Sequence, residues 1–426
     1  MLKYTERGVL RGARFEFNDW LELPNKSNEC CELIMNPSLP CGLNKFEEGG
    51  NCFNVFKGFE YQKPEGGFVS EVMSLEELAL IQPWLDLQQD LVGGDPNVTT
   101  EECVAYSTCW QASIIQRPFR KTGVAIIFKG GYGDGKDVFF DEGVGSIIGM
   151  KGGYMVSNNI GEDVLGDFNG AMAAKILIKG EELSFGDVTG NRKEEKFKTY
   201  ITCDMVQVNE KNEKRISIQD FCNYAFTTNN AVPAAISSGD RRFCIFKSKG
   251  VKRSWDEWGV IRSHFAKREF KEALAKYLYT FPIPSGWSPK DNRPQTSSYD
   301  YAILANAPAH AKALDAICAM EKTSYEFSLP DVTYEEGVLL LKPAALLRLI
   351  NEQCGGGGAK GARYGQINLN HALKEEYGMD LVSTAHKKEI VYPPICIVRN
   401  STNLIRIDVP AMVELLKSKG WHEELR

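Results

Sequence analysis

The chain has 426 residues, of which 43% are hydrophobic and 25% charged, with a formal net charge of −6. This is the make-up of a globular protein of two or three domains. The acidic balance excludes a protein that coats nucleic acid through bulk charge, though not one with a local basic patch or channel.

Residues 1–65 mix short apolar pieces with Asn, Gly and Pro and show no clear period. Cys30, Cys31, Cys41 and Cys52 lie close together there, but their spacings match no common zinc pattern, so they read as small buried residues. The N-terminus lacks a secretory pattern. Twelve cysteines then read as reduced thiols of an intracellular protein. No apolar run reaches the ~20 residues that a membrane span needs.

Residues 71–116 read as helical. Thr99 or Thr100 can cap the second helix, Glu101 and Glu102 suit its first turn, and Pro118 ends it. From Gly123 the texture changes to short apolar strands alternating with helices, the pattern of a mainly parallel α/β sheet. Strands are expected at Val124–Phe128, Lys175–Ile178, Asn223–Thr228 and Arg242–Lys247, with helices near Trp255–Leu278. Residues 281–298 are rich in Pro and Ser and read as a linker. Residues 299–426 run helix, glycine loop, helix, hairpin, helix, which suits a small winged-helix module or another α+β cap.

The chemistry concentrates in "AIIFKGGYGDGKDVFF". Gly130, Gly131, Gly133 and Gly135 precede Lys136, and Gly130 with Gly135-Lys136 forms the G-x-x-x-x-G-K part of a phosphate-binding loop. A buried strand before it and a helix after it are the context that motif needs. Glycines let backbone N–H groups close around phosphate oxygens, and Lys136 would reach the β- and γ-phosphates of ATP. Asp137 stands where a hydroxyl is usual. A carboxylate is also a hard oxygen ligand, so Asp137 is expected to hold Mg²⁺. Its charge beside the phosphates would then be offset by that ion alone, and nucleotide binding would depend strongly on magnesium.

Three further segments complete the set. Glu181 and Glu182 follow an apolar strand, Glu181 to hold magnesium and Glu182 to polarise water. Asn229, with Asn230 behind it, ends another strand and could contact the γ-phosphate or the attacking water. Arg241 and Arg242 precede the next strand and could serve a neighbouring subunit as an arginine finger. Lys211, Lys214 and Arg215 crowd the tip of a hairpin, where cations could meet DNA phosphates.

Taken in order, these segments resemble the helicase domain of superfamily 3, the AAA+-related helicases of viruses, phages and plasmids, and in particular the helicase halves of primase-helicases. "NCFNVFKGFE" (Asn51–Glu60) is similar to the short element ahead of that domain, and Trp110–Phe140 to the approach to its Walker A motif. Asp167–Asp187 is similar to its Walker B segment, with Glu181 where Asp is commoner. Thr199–Asn212 is similar to motif B′, and Phe226–Phe243 to motif C with its asparagine and arginine finger. The resemblance implies an α/β P-loop NTPase core at 123–280, a helical collar at 66–122, the 281–298 linker and a winged-helix-like tail at 299–426. It also implies an ATP- and Mg²⁺-dependent homo-hexameric ring that moves along single-stranded or forked DNA. Residues 1–70 hold no primase acid pattern, so a separate primase or polymerase is expected. Two rival functions fit the same motifs: a nucleotide-regulated DNA-binding initiator, and an ATPase that remodels proteins without unwinding DNA.

Overall fold

Val124 to Phe128 is an unbroken apolar run, and only a strand covered on both faces tolerates one. In the computed structural model that run forms β4 (Ala125–Lys129), the second strand of a five-stranded sheet in which every pairing is parallel. Its companions are β5 (Tyr154–Ser157), β6 (Leu177–Glu181), β9 (Asn223–Thr228) and β10 (Phe243–Lys247), in the order β10-β4-β9-β6-β5. The structure describes residues 31–45, 51–181, 190–209, 215–232, 236–319, 333–353, 366–383, 394–399 and 403–422. By internal contacts the chain divides into two units, Met1–Ala235 with Asp240–Tyr299, and Ile236–Gly239 with Asp300–Arg426.

In the first unit the helices Leu75–Val92, Thr100–Gln116 and Arg268–Thr280 pack against one another. With the sheet they bury Trp84, Trp110, Phe128, Phe139, Phe246 and Leu274 in one core. Their starts follow capping chemistry. The Ser74 hydroxyl accepts from Glu77 N, and the Glu77 carboxylate accepts from Ser74 N; Thr99 caps the next helix by accepting from Glu102 N. A small three-stranded sheet, β1 (Cys31–Ile34), β3 (Asn51–Asn54) and β2 (Gly42–Lys45), precedes them. Neither it nor β5 stood out in the sequence. A two-stranded hairpin of β7 (Met205–Val208) and β8 (Ile216–Gln219) lies between β6 and β9 in the chain.

Two segments depart from the sequence expectation. β6 does not end at Ile178 but runs on through Lys179 and Gly180 to Glu181, so Lys179 is a strand residue with none of its surface exposed. The 281–298 stretch is not a free tether either. Arg293 donates to Phe243 O and Thr296 Oγ1 to Ile245 O, so the stretch runs along the edge strand β10.

The second unit has its own core, which includes Leu314, Leu339, Leu346, Leu373, Ile405 and Leu416. Its sheet has the order β11 (Thr333–Glu335), β12 (Val338–Leu341), β15 (Leu404–Asp408), β14 (Ile395–Arg399) and β13 (Asp380–Ser383). The helices Ala309–Cys318, Pro343–Gln353, Gln366–Tyr377 and Val409–Ser418 accompany it. Among the described residues, no helix is long and apolar enough to cross a membrane.

Candidate functional site

The glycine loop leaves the C-terminal end of β4 and turns into the helix that begins at Lys136. Gly133 and Gly135 adopt positive φ, 76° and 92°, which side-chain-bearing residues rarely do. At Gly135 the space is also closed: a Cβ there would lie 2.1 Å from the Trp258 ring. The helix continues through a π turn at Phe140–Val144 to Ile148.

A residue that the sequence did not single out pins the loop. Asp134, 1% exposed, accepts from Gly131 N at 2.7 Å and from Lys252 Nζ at 2.5 Å, and Lys252 also donates to Tyr132 O. Burial works to raise the Asp134 pKa. The bonds from Lys252, Ser248 and Gly131 outweigh it and hold the carboxyl below its ordinary value.

Lys136 folds back over this loop. Its ammonium donates to Gly131 O at 2.7 Å and to Asn229 Oδ1 at 3.0 Å. Asn229 sits just past the tip of β9, the strand between β4 and β6. Burial pulls the Lys136 pKa below the usual lysine value. These hydrogen bonds go to neutral oxygen atoms, which are weaker acceptors for an ammonium than anionic oxygens. A phosphate oxygen could replace either one with a gain, so the loop, Lys136 and Asn229 fit a phosphate-bearing ligand.

Asp137 and Glu181, expected to hold magnesium, instead face a lysine of the chain. Asp137, Asp141 and Glu181 converge on the buried ammonium of Lys179, at 3.1, 2.9 and 3.3 Å. Thr227 of β9 donates to Asp137, and Tyr154 of β5 donates to Asp141, which fixes both from neighbouring strands. Burial acts to lower the Lys179 pKa, but Asp141 and Asp137 overcome it and hold it above the ordinary lysine value. The offset for the Asp137 charge is thus a lysine of the chain and not a bound ion alone, which corrects the expectation. Among the described residues no group of three His, Cys, Asp or Glu is arranged to hold a metal ion.

The remaining expected residues are scattered. Asn230 is exposed beside Asn229. Arg241 and Arg242 sit ahead of β10, where Arg242 O accepts from Ala125 N at the start of β4, so they lie at the end of the sheet opposite the glycine loop. Arg241 pairs with Asp291 at 3.5 Å and Arg242 with Asp240 at 3.4 Å. Arg215 is exposed just before β8. Glu182, Lys211 and Lys214 lie outside the described residues. A cavity of about 340 Å³ opens at that same far end, lined by Arg117, Arg120, Lys121, Asp220, Trp287 and Lys290 among others. There Lys121, paired with buried Asp220 at 2.7 Å, also donates to Tyr200 O and Cys203 O. It is separate from the glycine loop.

Three comparisons bear on this chain. Residues 128–242 match the model of a family of unknown function, DUF5906. Over 174 residues the chain is 32% identical to the DNA primase-polymerase of Nitratiruptor phage NrS-1, a stretch covering 40% of this chain and 23% of that protein. The apo structure of the NrS-1 C-terminal region (305–718) is similar at a TM-score of 0.60 with 21% identity, covering 88% of this chain and 84% of that one. A second form of that region gives 0.58 with 20% identity, covering 88% and 83%. The chain is thus related to a phage DNA replication protein and spans less than a quarter of its length in the matched stretch.

Proposed function

We propose that the chain works in DNA replication as a P-loop nucleoside triphosphatase, coupling ATP hydrolysis to movement along single-stranded or forked DNA as a ring. The observation that carries this reading is the Lys136 ammonium, held over a glycine loop between Gly131 O and Asn229 Oδ1. The strand order supports it. The loop strand β4 and the acidic strand β6 are separated by β9 alone, so Lys136, Asn229 and Glu181 gather at the C-terminal ends of neighbouring parallel strands, where such sheets bind ligands.

On this reading Lys136 exchanges a neutral carbonyl partner for phosphate oxygen and draws the triphosphate onto the loop. Asn229 holds Lys136 from behind and stands where an attacking water can be oriented. Glu181, partly exposed at the tip of β6 and 3.3 Å from the Lys179 ammonium, and the adjacent Glu182 are the acids that would hold magnesium and polarise that water. Magnesium bound to the nucleotide would neutralise phosphate charge. Arg241 or Arg242 would act on a neighbouring subunit. The relationship to a primase-polymerase supports a replication role, and unwinding is the finer step proposed here.

The test is a forked-duplex unwinding assay with ATP, run beside ATP turnover with and without DNA. Lys136→Ala should lose nucleotide affinity and turnover by about 10²-fold or more with an unchanged melting temperature. Near-normal turnover by the folded variant would remove the assignment, and turnover indifferent to DNA would favour a protein-remodelling ATPase.

A further inference from the structure

Lysine is costly to bury, and a side chain with none of its surface exposed must be matched by charge. Lys179 is matched three times over. Asp137 comes from the first turn after the glycine loop, Asp141 from the π turn and Glu181 from its own strand. All three carboxylates keep part of their surface in solvent, and two of them are held from neighbouring strands. Thr227 Oγ1 holds Asp137 at 2.9 Å, and Tyr154 OH holds Asp141 at 2.6 Å. The ammonium occupies the point where the three acids converge.

We infer that Lys179 is the resident cation of this site: it neutralises Asp137, Asp141 and Glu181 in place of a divalent ion. The nucleotide-free protein therefore binds no divalent ion at this cluster, and the triphosphate binds with little dependence on one. The second half of this inference rests on the nucleotide reading of the glycine loop; the first half does not. Geometry gives the reason for both. A dication entering the cluster would meet the Lys179 ammonium, which is fully buried and paired with all three carboxylates. Asp137 is tolerated next to phosphate because one of its oxygens already faces Lys179 and Thr227. Lys179 acts through the carboxylates it positions and is not itself a catalytic residue.

The experiment is Mn²⁺ titration of the nucleotide-free protein, followed by electron paramagnetic resonance, for wild type and Lys179→Met. Wild type should take up no Mn²⁺ at this cluster. Lys179→Met should bind one ion at least about tenfold more tightly than wild type, since three carboxylates then converge without a cation. Fluorescently labelled ATP supplies the second arm. Replacing Mg²⁺ by EDTA should weaken wild-type binding by less than about tenfold and weaken Lys179→Met by more than about a hundredfold. Lys179→Met/Asp137→Asn removes one charge of each sign and guards against a misfolded single variant. It should melt like wild type and tolerate EDTA. Equal Mn²⁺ affinity in wild type and Lys179→Met would overturn the inference, as would nucleotide binding by Lys179→Met that ignores EDTA. If no protein binds the nucleotide but Mn²⁺ still distinguishes the two, the glycine-loop reading fails and the resident cation stands.

Discussion

At the scale of single residues, the glycine loop is held by backbone shape as much as by charge. Gly135 combines a φ of 92° with a Trp258 ring carbon 2.1 Å from where a Cβ would stand, and a Leu87 methyl 3.1 Å away. Alanine there faces both a conformational penalty and a collision. Gly135→Ala should cost about 1–3 kcal/mol of stability and loosen the N-terminus of the helix that carries Lys136. Denaturant unfolding and labelled-ATP binding would report the two effects separately. Gly135→Ala/Trp258→Ala removes the collision but not the strained φ, so it should recover only part of the stability. Full recovery would mean that the backbone conformation matters little. Glycine residues at fixed offsets made this part of the site legible in the sequence. Lys179 was not legible for a physical reason. A lysine after Leu-Ile looks like the solvated end of a strand, and only the three acids that surround it in space permit its burial.

Secondary-structure elements show the same division between local and distant causes. β4 and β9 could be drawn from apolar runs, because strands covered on both faces carry them. β5 is four residues, Tyr154–Ser157, with an exposed Val156, and has no period to read. The helix caps at Ser74, Thr99 and Ser254 rest on contacts within three residues, and of these only Thr99 stood out in the sequence. The 281–298 stretch misled for the opposite reason. Its Pro and Ser content describes a segment without regular structure, and says nothing of where its side chains bond. Thr296 is fully buried and donates to Ile245 O, while Asp95 accepts from both the N–H and the hydroxyl of Ser297. Thr296→Val would leave a buried carbonyl without its donor and should destabilise the first unit by about 1–3 kcal/mol. A denaturant midpoint equal to that of wild type would mean that the stretch behaves as a tether after all.

At the scale of the whole molecule, the question is how two ends of one sheet could serve a single reaction. Lys136 follows the C-terminal end of β4, and Arg242 precedes the N-terminal end of β10, its parallel neighbour. Five residues of strand separate those ends, about 16 Å at 3.3 Å per residue, so Arg242 cannot reach a phosphate held by its own loop. Its partner Asp240 is buried, yet Arg242 itself is partly exposed, and Arg241 is paired only at the surface, where an ion pair is weak and readily exchanged. Either arginine can act at the reaction only if another subunit brings its glycine loop to that face. Arg242→Ala should therefore bind ATP normally and hydrolyse it about 10³-fold more slowly, while Lys136→Ala should fail to bind. Mixed together, the two inactive proteins should regain turnover, because a shared ring places an intact loop against an intact arginine in some of its sites. The same mixing with Arg241→Ala decides which arginine is the finger. If subunits exchange and no mixture recovers activity, the arginines serve only the fold of their own unit. A monomer that turns over ATP at the full rate would leave the shared site without a role.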